Sequence, residues 1–348
     1  MQSDPDRTAV GVVGAGGMGT VHAENLHALN PGVQVVAVMD ADPARAEEVA
    51  ARCGSVSVFG DAHEMIADDK VEAVVIASPD YTHAELTLEC LRRKKPVLCE
   101  KPLATTAEDA LEVVEAEVGV GRKLVKVGFM RRYDPQHLGV RDAVTRGDVG
   151  RPVLLKGWHR NPETLPGATS EFVVFSSAIH DLDSARWLLE QEIEEVYAHG
   201  VNTEPALGKH TCDLQLIQLV LSGGCLATIE VYVTAGYGYE VGAEVVGERG
   251  TAHTVPAGGV VVRRDRALSR PIEGNWRARF QTAYVNEIEQ WTKALINGRA
   301  EGPDAWDGLM SVLAAEACVA SLRSGLPQRL QAPERPVLYR QGLSEVAG

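Results

Sequence analysis

A lysine that closes an apolar run, in Cys99-Glu100-Lys101-Pro102, and a histidine that opens a helical stretch, in Ala178-Ile179-His180-Asp181-Leu182-Asp183, are suited to acid–base chemistry. Burial at a strand end disfavours a lysine's charge unless something anionic is near. An imidazole with its ordinary pKa of ~6.5 is largely neutral in the cytoplasm and can accept a proton. By 3,4 spacing Ile179, Leu182, Arg186 and Leu189 share one side of the helix, and His180, Asp183 and Ser184 share another. His180 and Asp183 can therefore act at one place. A lone helical histidine is more often structural, and only the company of a nucleotide site favours a catalytic role.

That company is Gly14-Ala15-Gly16-Gly17-Met18-Gly19, a G-x-G-x-x-G loop between an apolar run at 9–13 and a helical stretch at 18–29. The glycines permit a tight turn and close approach of the backbone, and the helix N-terminus offers free N–H groups to a pyrophosphate. Asp40 ends the next apolar run, about 20 residues on, where a carboxylate bonds the ribose hydroxyls of a dinucleotide. It would repel a 2′-phosphate and Ala41 supplies no guanidinium, which favours NAD over NADP, with Arg45 one turn later as the counter-indication. FAD and S-adenosylmethionine folds share parts of this pattern.

Two further clusters follow strand ends, where ligands bind in such architectures. Ser78-Pro79-Asp80-Tyr81-Thr82-His83 reads as a capped helix start and as a cofactor contact, through Ser78, Pro79 and His83. Gly128-Phe129-Met130-Arg131-Arg132-Tyr133-Asp134-Pro135 lies at an expected domain junction. Taken singly, each arginine there is better read as neutralising a local carboxylate than as a ligand contact.

The elements that must position these residues alternate. Apolar runs at 9–13, 33–39, 73–77, 96–99 and 124–128 are separated by helical segments near 43–53, 81–93 and 106–118. Strands apolar on both faces with helices between them predict a doubly wound parallel α/β sheet of the Rossmann type. After a helical 134–146, strand patterns dominate from 152 to about 263. Cys212–Leu221 and Cys225–Thr234 flank Ser222-Gly223-Gly224 as a hairpin, with Ala227, Ile229, Val231 and Val233 on the core side. The mixed opposite face is either solvated or meets another subunit. Helices at about 282–297 and 304–324 close the chain, and the tail from Gln331 reads as a surface strap. The expected domains are 1–128 for the nucleotide and 129–330 for the substrate, with 331–348 as the strap.

With 348 residues, 45% hydrophobic, 24% charged and a net charge of −14, the chain is globular and a poor candidate for nucleic acid or an anionic membrane. No stretch is expected to match the ~20 apolar residues of a membrane helix, and the start lacks the pattern of a secretion signal. A cytoplasmic protein is expected. The six cysteines, Cys53, Cys90, Cys99, Cys212, Cys225 and Cys318, form no C-x-x-C pair, so buried thiols are expected rather than a zinc knuckle or disulfides, and no metal.

Together these motifs resemble the Gfo/Idh/MocA oxidoreductases, and within them the inositol dehydrogenase branch, over nearly the whole chain. The resemblance rests on the glycine loop, Glu100-Lys101-Pro102, residues 128–134, His159-Arg160-Asn161-Pro162, Ile179 to Asp183 and Tyr237-Gly238-Tyr239. It implies Lys101 and His180 as the catalytic pair with Asp183 beside them, and Glu100 and Lys101 near the cofactor. It also implies that Met130, Asn161, Asp183, Tyr237 and Tyr284 line a substrate pocket, with Arg131 and Ser176 as further candidates. A second α+β domain with a large, mainly antiparallel, open-faced sheet follows too, used in a homotetramer or dimer. One position departs: the family's inositol dehydrogenases carry an aspartate four residues before the catalytic histidine, where this chain has Ser176. Serine cannot hold a charge that raises the histidine's basicity. Either Asp183 takes over that orienting role or the substrate differs from myo-inositol.

The expected reaction is NAD-dependent oxidation of a secondary hydroxyl of a cyclitol or sugar to the ketone. The alternatives are an NAD-dependent glycosidase of the same superfamily and a non-catalytic NAD-binding regulator.

Overall fold

The structure is a computed structural model that describes residues 7–29, 32–208, 210–255, 261–298 and 301–340. Residues 256–260 of the expected strand tract and the part of the expected strap beyond Arg340 lie outside the described residues.

The chain divides into two compact units. The first holds the residues up to Phe129, Tyr284–Val312 and the residues from Ala332 on; the second holds Met130–Ala283 and Leu313–Gln331. The sequence division had kept 284–312 with the second domain.

In the first unit six parallel strands, β1 (Thr8–Val13), β2 (Val33–Met39), β3 (Ser57–Phe59), β4 (Ala73–Ile76), β5 (Val97–Glu100) and β6 (Val125–Gly128), lie in the order β3-β2-β1-β4-β5-β6. Strand order reverses between β1 and β4, which opens a crevice beyond their C-terminal ends. Every residue of β4, β5 and β6 is buried, as expected for strands covered on both faces. The connecting helices are α1 (Gly17–Leu29), α2 (Pro43–Arg52), α3 (Ala62–Ala67), α4 (His83–Arg92) and α5 (Ala107–Val120). Asp42, Asp61 and Thr106 cap α2, α3 and α5, accepting from the N–H groups of Ala44, Glu64 and Asp109. The short β3 and α3 escape the sequence pattern.

Chain-distant residues complete this unit. Ile288 and Trp291 join the apolar cluster of Val10, Leu26, Val35, Val49 and Leu98. At roughly 1.5–3 kcal/mol for each large apolar side chain removed from water, that contribution is what assigns Tyr284–Val312 to the first unit. Beyond Ala332 the tail is more than a surface strap. Tyr339 is 1% exposed and its hydroxyl donates to the buried carboxylate of Glu117 at 2.6 Å. The other oxygen of Glu117 accepts from the N–H groups of Leu124 and Val125 at 2.5 and 2.6 Å.

In the second unit α6 (Pro135–Thr145) is capped by Asp134 and precedes β7 (Pro152–Arg160). A short helix, α7 (Ser170–Val173), runs through a π turn at Val174–Ala178 into α8 (Ile179–Leu189). Then come β8 (Ile193–Val201), β9 (Leu214–Leu221), β10 (Leu226–Tyr232), β11 (Glu240–Gly247), β12 (Thr251–His253), the small hairpin β13 (Val262–Arg264) and β14 (Ala267–Ser269), and β15 (Gln328–Arg329). The helices α9 (Trp276–Asn297) and α10 (Ala305–Ser324) each cross the division between units, and α11 (Val337–Arg340) carries Tyr339. The large sheet runs β12-β11-β7-β10-β9-β8-β15; only β7 and β10 pair in parallel. Ala227, Ile229, Val231 and Val233 face the core with Leu155, Ile217, Leu219 and Leu182, as alternation predicts.

Among the described residues α10 is long and apolar enough to cross a membrane, against the expectation of none, but 67% of its most apolar window is buried within the protein. All six cysteines are free, five of them buried and Cys212 half-buried.

Candidate active site

The nucleotide half is built on the β1–α1 turn. Gly14 has φ +92°, a conformation side chains resist, and a Cβ there would meet the carbonyl of Ala77. A Cβ at Gly19 would collide with the carbonyl of Gly14. Gly16, by contrast, faces open space: among the described residues none beyond its chain neighbours comes within 4 Å of the position its Cβ would take. Gly17 and Met18 begin α1 behind it. This is a cradle fit for a pyrophosphate at a helix N-terminus. Asp40, just past β2, accepts from the N–H of Ala15 at 2.7 Å and of Asp42 at 2.8 Å. The carboxylate is thereby fixed against the glycine loop, and each oxygen retains acceptor capacity for a ribose hydroxyl.

Lys101 follows the last residue of β5. Its backbone N–H donates to Glu100 Oε2 at 3.2 Å, and Glu100 Oε1 lies 2.7 Å from His22 Nε2. Both partners are buried. Burial pushes the Glu100 carboxyl up, yet His22 and Lys101 outweigh it and hold the group below its ordinary range. Glu287 on α9 joins this cluster, with donor atoms of His22, Glu100 and Glu287 all within 4.8 Å of one another. Among the described residues neither oxygen of Glu287 has a hydrogen-bond partner, and burial followed by the charge of Glu100 pushes its carboxyl well up. These three could ligate a metal by type. However, the 2.7 Å between nitrogen and oxygen is a hydrogen bond, shorter than the ~3.3 Å that ligands ~2.0 Å from a tetrahedral ion would keep.

Ser78 and His83 are tied into the fold as well. The Ser78 and Thr82 hydroxyls bond at 2.6 Å, and His83 lies between two carbonyls, Nδ1 at 2.7 Å from Pro102 and Nε2 at 2.9 Å from Ser78. Pro79 starts the turn at 80–82 that leads into α4. Tyr284, also in the first unit, sets its ring edge-on to His22 with centroids 6.2 Å apart.

In the second unit the arginine pair neutralises two carboxylates of α8, the plainer of the two sequence readings. Arg131 Nη1 donates to Asp181 Oδ1 at 2.5 Å, and Arg132 grips Asp183 with Nε and Nη2 at 3.0 and 2.5 Å. His159 Nδ1 lies 2.9 Å from Arg131 Nη2 and 3.2 Å from Asp181 Oδ2. Burial alone would raise the Asp181 pKa; Arg131 and His159 hold it low. His180 is 7% exposed, its ring centroid 6.5 Å from that of His159, and its carbonyl accepts from Ser184. The π turn immediately before His180 contains Ser176, whose hydroxyl lies 3.4 Å from that of Ser177. Met130 is buried, and Asn161 Oδ1 is buried without a partner among the described residues, a donor-seeking atom fit for a hydroxyl.

Tyr237, expected in the pocket, is 51% exposed and bonds Glu240 and Arg160. Tyr239 is the buried one, with its ring 5.9 Å from His159 and 6.2 Å from Phe280. Sequence analysis quoted Asp181 and His159 within their motifs without giving either a role, and it did not single out His22, which carries no spacing signal of its own.

The first unit thus holds a nucleotide cradle, and the second a buried histidine–carboxylate–arginine cluster. The chain belongs to the oxidoreductase family with an NAD-binding Rossmann fold, matched over residues 8–129, and its C-terminal α/β domain, matched over 142–330. It is 59% identical over its full length, and over the full length of the relative, to inositol 2-dehydrogenase of Rubrobacter xylanophilus. The crystal structure of myo-inositol dehydrogenase from Lactobacillus casei in complex with NAD(H) and myo-inositol superposes with a TM-score of 0.91 at 30% identity, covering 96% of this chain and 99% of that one. Scyllo-inositol dehydrogenase from the same organism, with NAD(H) and scyllo-inositol, gives 0.87 at 25% identity over 93% and 99%.

Proposed function

We propose that this protein oxidises a secondary hydroxyl of an inositol-like cyclitol to the ketone, with Lys101 and His180 as its catalytic residues. NAD, when bound, supplies the hydride acceptor. Gly14, Gly16, Gly17, Met18 and Gly19 would hold its pyrophosphate and Asp40 its ribose, with Ser78, Pro79, His83 and Glu100 shaping the cradle. Neutral His180 takes the hydroxyl proton. The ammonium of Lys101 donates to the same oxygen and stabilises the developing alkoxide. Asn161, Met130 and Tyr284 orient the ring, Arg131 and Arg132 fix the carboxylates beside His180, and Ser176 and Tyr237 are the weaker candidates.

The observation that carries this reading is the cradle at Gly16 with a lysine at the end of β5, in a chain related over its whole length to inositol dehydrogenases. The test is the near-ultraviolet absorbance of NADH produced from a panel of inositols, aminocyclitols and aldoses. Turnover on a cyclitol supports the reading; no NADH from any polyol removes it. In the same assay His180→Ala lowers kcat roughly 10²–10⁴-fold while NAD still binds.

A homo-oligomer, dimer or tetramer, joined through the open face of the large sheet fits the neighbouring exposed side chains Leu216, Val220 and Leu226 there. Light scattering of the purified protein decides it. A cytoplasmic setting fits six free thiols.

A further inference from the structure

Hydride-transfer geometry tolerates little error in the atom that steadies the alkoxide, so what holds Lys101 matters as much as Lys101 itself. Two histidines, exposed by 0% and 1%, hold its backbone from either side. On the N-terminal side His22 of α1 bonds Glu100, whose second oxygen takes the N–H of Lys101. On the C-terminal side His83 of α4 bonds the carbonyl of Pro102 and, with its other nitrogen, that of Ser78. Carbonyls only accept, so both nitrogens of His83 must donate and the ring is an imidazolium. Its surroundings agree: burial works against the charge, but Cys99 and the Pro102 carbonyl carry the pKa up to about 10.

We infer that His22 and His83 are positioning residues for Lys101, one fixing its N–H through Glu100 and the other the carbonyl of the following proline. The inference rests on the catalytic reading of Lys101 above. Neither histidine needs to touch substrate. Each links a helix that opens on the nucleotide crevice to the strand end that carries the ammonium, so the lysine is set by the same elements that form the cradle.

The experiment measures kcat, both KM values and Tm for His22→Ala, His22→Gln, His83→Ala, His83→Gln and Lys101→Met, with the cyclitol of the panel turned over fastest. Each alanine variant is expected to lower kcat about 10–100-fold, a larger change than in the KM for NAD. A glutamine amide reaches where His22 Nε2 donates, so His22→Gln is expected to recover kcat to within about threefold of wild type. It cannot serve two opposed carbonyls, and His83→Gln is expected to recover less. Should an alanine variant fail to fold, the two glutamine variants carry the comparison. Wild-type kcat in both histidine series beside an inactive Lys101→Met overturns the positioning role alone, as does a parallel fall of Tm, kcat and NAD affinity without glutamine rescue. A fully active Lys101→Met overturns the reading of Lys101 and this inference with it. Stoichiometric transition metal in the purified protein, lost in His22→Ala, overturns it too, because His22 would then be a ligand.

Discussion

Arg132 holds Asp183 with two nitrogens, at 3.0 and 2.5 Å, and Asp183 is only 1% exposed. The aspartate one turn after His180 is thus charge-balanced by its neighbour. Removing one partner of a buried pair leaves the other uncompensated, at a cost of about 3–5 kcal/mol. Arg132→Leu is therefore expected to lower Tm sharply, whereas Arg132→Lys, which loses the two-pronged grip but keeps the charge, should lower it less. Calorimetry on the two variants checks this, and equal melting points would contradict it.

Asp40 is locked by the Ala15 and Asp42 N–H groups at the rim of the glycine loop. Its charge opposes a 2′-phosphate, and Ala41 offers nothing to attract one. Asp40→Ser combined with Ala41→Arg is expected to lower the NAD-over-NADP ratio of kcat/KM by about 100-fold. Steady-state kinetics with both nucleotides reads it directly, and an unmoved ratio would assign the preference elsewhere.

Glu287 is a buried acid whose folded pKa lies well above its unfolded value of ~4.3. Stability from such a group is fully present below the unfolded pKa and is lost as pH rises through the folded one. Glu287→Gln does not titrate, so its Tm advantage over wild type should be near zero at pH ~4 and grow as pH rises toward ~7. From about pH 7 the buried Lys126, lowered to about 8 chiefly by burial, begins to lose its own proton and the comparison ends. A constant or inverted difference across the window would show Glu287 ionised.

Tyr339→Phe removes the hydroxyl that donates to Glu117 and leaves a buried carboxyl oxygen without its donor. A loss of about 1–3 kcal/mol is expected in urea unfolding. Activity per folded molecule should not change, since neither residue is near the glycine loop in sequence or bonded to it.

The nucleotide half was legible because its signals are local: apolar runs of fixed length, a glycine loop between strand and helix, and an acid at the next strand end. Lys101 and His180 could be named because each opens or closes such an element. Tyr237 and Tyr239 could not be told apart, since two tyrosines around Gly238 stand outside any regular strand and only the packing of Tyr239 on His159 separates them. The parallel pairing of β7 with β10 joins residues about seventy positions apart, and no nearby residue announces it. The same holds for Ile288 and Trp291, whose apolar face carries no mark of which sheet it will cover.

The first unit draws its substance from three separate stretches, the last of them carrying Tyr339. During synthesis, then, the glycine-loop half leaves the ribosome first yet is finished last. Until α9 and Tyr339 emerge, the groove awaiting Trp291 and the carboxyl of Glu117 stay open to water. A fragment stopping at Phe129 would lack the side chains that close its own core.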